Sequence, residues 1–159
     1  WSSDVCSSDL SDHASANTVV GNYVGLAANG DLLISNASTG ILLDGTAQNQ
    51  IGGPNPVDAN IISGNGAPSG GLQGGIRLQN AANNNVIQGN LIGTNASGNS
   101  ARGNRGPGIV LHGSQQNQIG GTGPNEGNLI ASNEGNGITL EAFSDGNTIC
   151  WLPKISTST

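Results

Sequence analysis

Ten carboxylates, four basic side chains and two histidines supply most of the ionisable chemistry of this 159-residue chain. Asp44, Gln79, His112 and Glu141 each directly follow a G-I-x-L motif, at 40–43, 75–78, 108–111 and 137–140, and Arg77 fills the x of the second. If the motifs stack, Asp44, Arg77, His112 and Glu141 form the one titratable cluster that spacing places on a single face. General acid–base chemistry on a glycosidic bond would ask for a carboxylate pair roughly 5–10 Å apart across it. A general acid or base must also come within about 3 Å of its proton. Asp44 and His112 would stand two repeats apart, ~10 Å at strand spacing, beyond that reach. The four residues are therefore read as a ligand-binding candidate on a solvated face, and no residue is assigned as catalytic.

A second group is Asp58 and Glu126, 68 residues apart in matching loops 53–59 and 121–127. With backbone carbonyls they could hold Ca²⁺ weakly, and no other cofactor is implied. HExxH, EF-hand and glycine-rich calcium nonapeptide motifs are missing, and outside the two end segments the chain has no Cys. His13 lies in the entry segment, and Arg102 and Arg105 read as solvated tips of the polar loop 95–107. Asn36-Ala37-Ser38 and Asn95-Ala96-Ser97 match the glycosylation sequon. No T-x-T pair recurs at the repeat spacing, so an ice-binding face is not indicated.

The elements that must position these residues come from a repeat. One motif, N-x-[VI], begins at Asn17, Asn49, Asn85, Asn117 and Asn147, after steps of 32, 36, 32 and 30 residues. A second N-x-[VI] begins at Asn22, Asn60, Asn90 and Asn128, and G-I-x-L is the third. The runs beginning at Val19 and Asn49 return 68 residues later, so two coil types alternate. Apolar side chains two apart are a strand period. Three short strands per repeat cannot pair within the repeat, but they can pair with their counterparts in the next one. The expectation is an all-β, right-handed parallel solenoid of about four coils, the hand following from parallel crossover connections. Seventeen inward positions are all Val, Ile or Leu. Each motif Asn lies two residues before an inward aliphatic, where stacked amides can bond up a column. Asn also tolerates the left-handed backbone of a corner.

These motifs resemble the right-handed parallel β-helix repeat of large secreted and cell-surface bacterial proteins, over residues 17–149. That resemblance implies an extracellular or cell-surface setting. It leaves activity open, because lyases, hydrolases, epimerases, tailspikes and adhesins share the fold. The string WSSDVCSSDL at 1–10 does not share the repeat and resembles translated sequencing-adaptor DNA from environmental assemblies. It is read as a non-native leader without strand pairing. Residues 11–149 are the repeat domain, a fragment of a longer solenoid, and 150–159 an irregular tail. Cys6 and Cys150, at opposite ends of the stack, are expected as free thiols.

Composition narrows the function classes. Four Lys and Arg in a chain of net charge −6 give no basic patch for nucleic acid. No run of about 18 apolar residues suits a membrane span. With 27 Gly and 22 Asn, a helical bundle is excluded. The expected function is a non-catalytic solenoid segment of a secreted or surface protein, structural, adhesive or weakly carbohydrate-binding, with polysaccharide or other surface components as partners. The alternative is a fragment of a polysaccharide-active enzyme whose catalytic coils lie outside these residues.

Overall fold

The computed structural model describes residues 8–11, 14–67 and 72–151. The first N-x-[VI] motif gives β2 (Thr18–Val19), β5 (Gln50–Gly52), β8 (Val86–Gln88), β11 (Gln118–Ile119) and β14 (Thr148–Ile149). The second gives β3 (Tyr23–Val24), β6 (Ile61–Ile62), β9 (Leu91–Ile92) and β12 (Leu129–Ile130). G-I-x-L gives β4 (Ile41–Asp44), β7 (Ile76–Gln79), β10 (Ile109–His112) and β13 (Ile138–Leu140). Each strand pairs in parallel with its counterpart one coil away. The result is an all-β solenoid of about four turns with three parallel sheets, called A for the third motif, B for the first and C for the second.

In-register stacking puts like on like. Ile41, Ile76, Ile109 and Ile138 form one aliphatic column, and Leu43, Leu78, Leu111 and Leu140 another. Twelve of the seventeen inward positions are buried in one continuous core, and Val19, Ile130 and Ile138 pack against it. Leu140 and Ile149 depart from the expectation, at 45 % and 47 % exposed. They belong to the last strands of their columns, with no further coil above them among the described residues.

The predicted amide columns are present at each corner of the coil. Asn17, Asn49, Asn85, Asn117 and Asn147 form one ladder. In it, both the backbone N–H and Nδ2 of each Asn donate to Oδ1 of the Asn one coil on, at 2.8–3.1 Å. Asn22, Asn60, Asn90 and Asn128 repeat the pattern at 2.9–3.2 Å. A third ladder, Asn36, Asn65, Asn104 and Asn133, was not anticipated. Glycine follows the strands where the chain must turn tightly under the next coil. At Gly52 φ is +79°, and a Cβ would run into the Gln88 carbonyl oxygen.

Two coil types do alternate. After β3 and β9 the chain makes a small hairpin, closed by the antiparallel bridges Leu26–Leu33 and Thr94–Ala101, 68 residues apart. Between β5 and β6, and between β11 and β12, it makes the loops 53–60 and 121–128, the first holding a 3-10 turn at Pro56–Asp58.

The ends differ from expectation. Ser8–Leu10 is a strand, β1, that pairs in parallel with β4 through Ser8–Ile41, Asp9–Leu42 and Leu10–Leu43. The last three residues of the string read as an unpaired leader are thus regularly paired, because their backbone can supply ladder bonds whatever the side chains. At the other end, Cys150 N–H donates to Ile119 O at 2.9 Å, so the ladder runs one residue into the segment read as irregular. Cys150 has no disulfide partner among the described residues. Cys6 and His13 lie outside them.

Ile76→Asp is expected to cost several kcal/mol, because it puts an unpaired charge into the aliphatic column. Arg77→Ala, one residue on, should cost less than about 0.5 kcal/mol, because its buried Nε has no hydrogen-bond partner to lose. Circular dichroism melts that rank the two in the opposite order would reverse the inside and outside of sheet A. Asn90→Ala strands two buried donors of Asn60 and should cost at least about 2 kcal/mol. Deleting residues 1–10 uncovers the edge of β4 and should lower Tm; an unchanged Tm would mean that β1 adds no stability.

Candidate functional site

Sheet A brings Asp44, Gln79 and His112 into one outward column, with Asp44 and His112 two strands apart and Gln79 between them. Glu141 continues the column one residue beyond β13. Gln79 Nε2 donates to Asp44 Oδ2 at 2.9 Å, and Asn80 Nδ2 donates to Asp44 Oδ1 at 2.7 Å. His112 Nδ1 lies 2.8 Å from Glu141 Oε2, a pair whose side chains are 49 % and 26 % exposed. The column therefore divides into an amide-held carboxylate and a His–Glu pair, and neither half holds two carboxylates side by side.

Arg77 lies in the neighbouring outward column, between Leu42 and Val110. It makes no ion pair with Asp44 or Glu141 among the described residues. Arg77 is half-buried, and Val110 beside it is fully buried. Around Arg77 and Val110 this outer face is therefore less open than the solvated face expected from the sequence.

Asp58 and Glu126 sit at matching points of their loops and do the same local job. Asp58 Oδ2 accepts from the backbone N–H of Asn55 at 3.3 Å and from Asn55 Nδ2 at 2.7 Å. Glu126 Oε2 accepts from the backbone N–H of Gly123 at 2.6 Å. Each carboxylate closes its own turn from three residues on, as an acid does in a capping box. The backbones of the two loops belong to coils two apart, with Gly89 between them, whose N–H donates to Glu126 O at 3.1 Å. Each acid is engaged within its own loop, and no group of three or more potential metal ligands occurs among the described residues.

Arg102 is not a free loop tip. Its Nη2 lies 2.8 Å from Asp31 Oδ1, and its Nε donates to the Asp31 carbonyl at 2.6 Å. With Ala96 N–H donating to Gly30 O at 2.8 Å, this clamps the second hairpin onto the first. Arg105 is exposed. Of the two sequons, Asn36 is buried in the third ladder, whereas Asn95 accepts the Asn99 and Ser100 amides across its hairpin.

One feature of the surface was missed from the sequence. The middle residues of the second N-x-[VI] motif, Tyr23, Ile61, Leu91 and Leu129, are all apolar and point away from the core. Ile61 and Leu91 pack with Leu26, Ala59, Ala96 and Leu129 in a second apolar cluster on the outer face of sheet C. Between the hairpins and the loops 53–60 and 121–128 this face forms a groove of about 630 Å³. Its rims carry Asn55, Ser97 and Asn125, and no charged side chain lines it. The signal lies in the x positions of the motif, which are apolar in all four coils although they face outward.

No family model, no curated protein and no solved structure matches the chain.

Removing either partner of the Asp31–Arg102 pair should cost less than about 1 kcal/mol, because both side chains are partly solvated. The loss should appear as faster amide exchange confined to the two hairpins. Millimolar Ca²⁺ should leave Tm unchanged, since Asp58 and Glu126 serve separate turns; a saturable rise in Tm would show a bound ion by linkage.

Proposed function

We propose that the chain is a non-catalytic solenoid segment of a secreted or cell-surface protein, structural or adhesive in role and with at most weak affinity for carbohydrate. The observation that carries this reading is how the outward ionisable groups are used. Asp44 is held by two amides, His112 by Glu141, Asp31 by Arg102, and Asp58 and Glu126 by their own turns. These contacts tie coil to coil or close a loop.

The secreted or surface setting is proposed from the repeat's resemblance to the bacterial β-helix class. Polysaccharide or other surface components are the proposed partners, and two surfaces are available to them. One is the Asp44, Arg77, His112 and Glu141 face, and the other is the uncharged groove over sheet C. Weak binding suits both. A groove with an apolar floor and a few amide and hydroxyl groups on its rims offers contact area but few directed bonds.

Incubation with a panel of neutral and acidic polysaccharides is expected to give no depolymerisation. Titration of oligosaccharides should give Kd values no tighter than about 1 mM, near −4 kcal/mol. Product formation that Glu141→Gln or His112→Ala abolishes would overturn the non-catalytic reading.

A further inference from the structure

We propose that Asn136 is a site of spontaneous deamidation, and that the third Asn ladder shields an identical Asn-Gly step in the core from the same reaction. Asn-Gly occurs at 29–30, 65–66 and 136–137. In such a step the main-chain nitrogen of the glycine attacks the Asn side-chain carbonyl carbon. An N–Cγ bond forms and the Cγ–Nδ2 bond breaks. The amide proton of the glycine leaves with the side-chain nitrogen as ammonia, and a five-membered succinimide remains. Water then opens one of its two carbonyls, giving Asp, or isoAsp with an extra methylene in the main chain. Glycine favours the attack because no Cβ hinders the turn the backbone must make. Reactivity then depends on how firmly the Asn side chain and the glycine N–H are held.

The three steps are held very differently. Asn65 is fully buried. Its Oδ1 accepts from Asn36 Nδ2 at 2.8 Å, and its Nδ2 donates to Asn104 Oδ1 at 2.9 Å and to Val24 O at 3.1 Å. The attacking group is occupied too, since Gly66 N–H points at Asn36 O and Ser38 O, at 3.1 and 2.9 Å. Cyclisation there requires a corner of the solenoid to open.

Asn29 is intermediate. It is exposed, but its Oδ1 accepts the Asp31 and Leu32 amides at 3.1 and 3.0 Å, and Gly30 N–H donates to Ala27 O at 2.8 Å. Asn136 is held least. It is exposed, and its side chain makes one long contact, Nδ2 to Thr139 Oγ1 at 3.5 Å. Gly137 N–H has no acceptor among the described residues.

The reaction would have a structural consequence. The carbonyls of Asn136 and Gly137 accept from Gly108 and Ile109 at 2.9 and 3.0 Å, bonds that seat β13 on β10. An isoAsp linkage lengthens the chain at that point and shifts both carbonyls. Deamidation at Asn136 therefore loosens the last coil in sheet A and leaves the coils beneath it intact.

The test is incubation of the folded chain in mildly alkaline buffer, followed by peptide mapping with mass spectrometry and isoAsp detection. Asn136 should convert first, Asn29 more slowly, and Asn65 at least about a hundredfold more slowly than Asn136, the factor that a local opening cost of about 3 kcal/mol imposes. In denaturant the three rates should converge. Gly137→Ala should slow conversion at Asn136 without harming the fold, because an added Cβ would meet its nearest neighbour, Ile130 Cγ2, at an ordinary 3.7 Å. Amide exchange at Gly108 and Ile109 should speed up in step with isoAsp formation. Equal rates at Asn65 and Asn136 in the folded protein, or an unreactive Asn136 in a sample whose denatured control converts, would overturn the proposal.

Discussion

The structure depends on one repeated hydrogen-bond arrangement. An Asn Oδ1 in one coil accepts both the backbone N–H and the Nδ2 of the Asn in the coil before it, as Asn90 does for Asn60 at 3.2 and 2.9 Å. Both lone pairs of the oxygen are used, and the second Nδ2 hydrogen goes to a main-chain carbonyl, as from Asn90 to Ile51 O at 2.9 Å. A corner of a parallel solenoid breaks the backbone ladder and would strand donors and acceptors in the interior. The Asn side chain continues the ladder through that break. Since an unmet buried polar group costs about 1–3 kcal/mol, a corner without the amide would be expensive at each turn.

That constraint explains why a chain so poor in aromatics can have a well-formed interior. Strands of two to four residues are too short to stand alone, and the ladders fix their register. Once register is fixed, Ile stacks on Ile and Leu on Leu, and the buried columns need only one aliphatic shape apiece. The same regularity leaves the outer faces of the sheets to vary. Sheet A turns one polar column outward, in which Gln79 bonds Asp44 from the next coil and Glu141 meets His112. Sheet C turns apolar groups outward and covers part of them with hairpins and loops. The 68-residue alternation follows from this division, since hairpins and loops of one kind emerge from alternate coils and must meet across the coil between them.

Function reads differently in such a scaffold than in an enzyme cleft. A charged side chain on a coil has neighbours about 5 Å above and below, and Asp44 and His112 are engaged by such neighbours, Gln79 and Glu141. Asp31 and Arg102 fasten one hairpin to another, and Glu126 closes a turn. These are uses of charge for assembly, in keeping with a structural or adhesive segment.

The sequence by itself determined the repeat, the three strands in each coil and the inward columns, because a period-two apolar pattern with matching turns leaves one economical way to pair such short strands. It also determined that Asp44, Gln79, His112 and Glu141 would stack. It did not disclose the third ladder. Its members follow the inward residue of the second strand by 12, 3, 12 and 3 residues, since the hairpins intervene in alternate coils. Nor did it disclose that Arg102 meets Asp31 across 71 residues, that β1 adds itself to β4, or that apolar x positions floor a groove. Those features depend on how far a loop projects and what it lands on. Loop conformation is set by backbone bonds between coils, and these exist only once the coils are stacked.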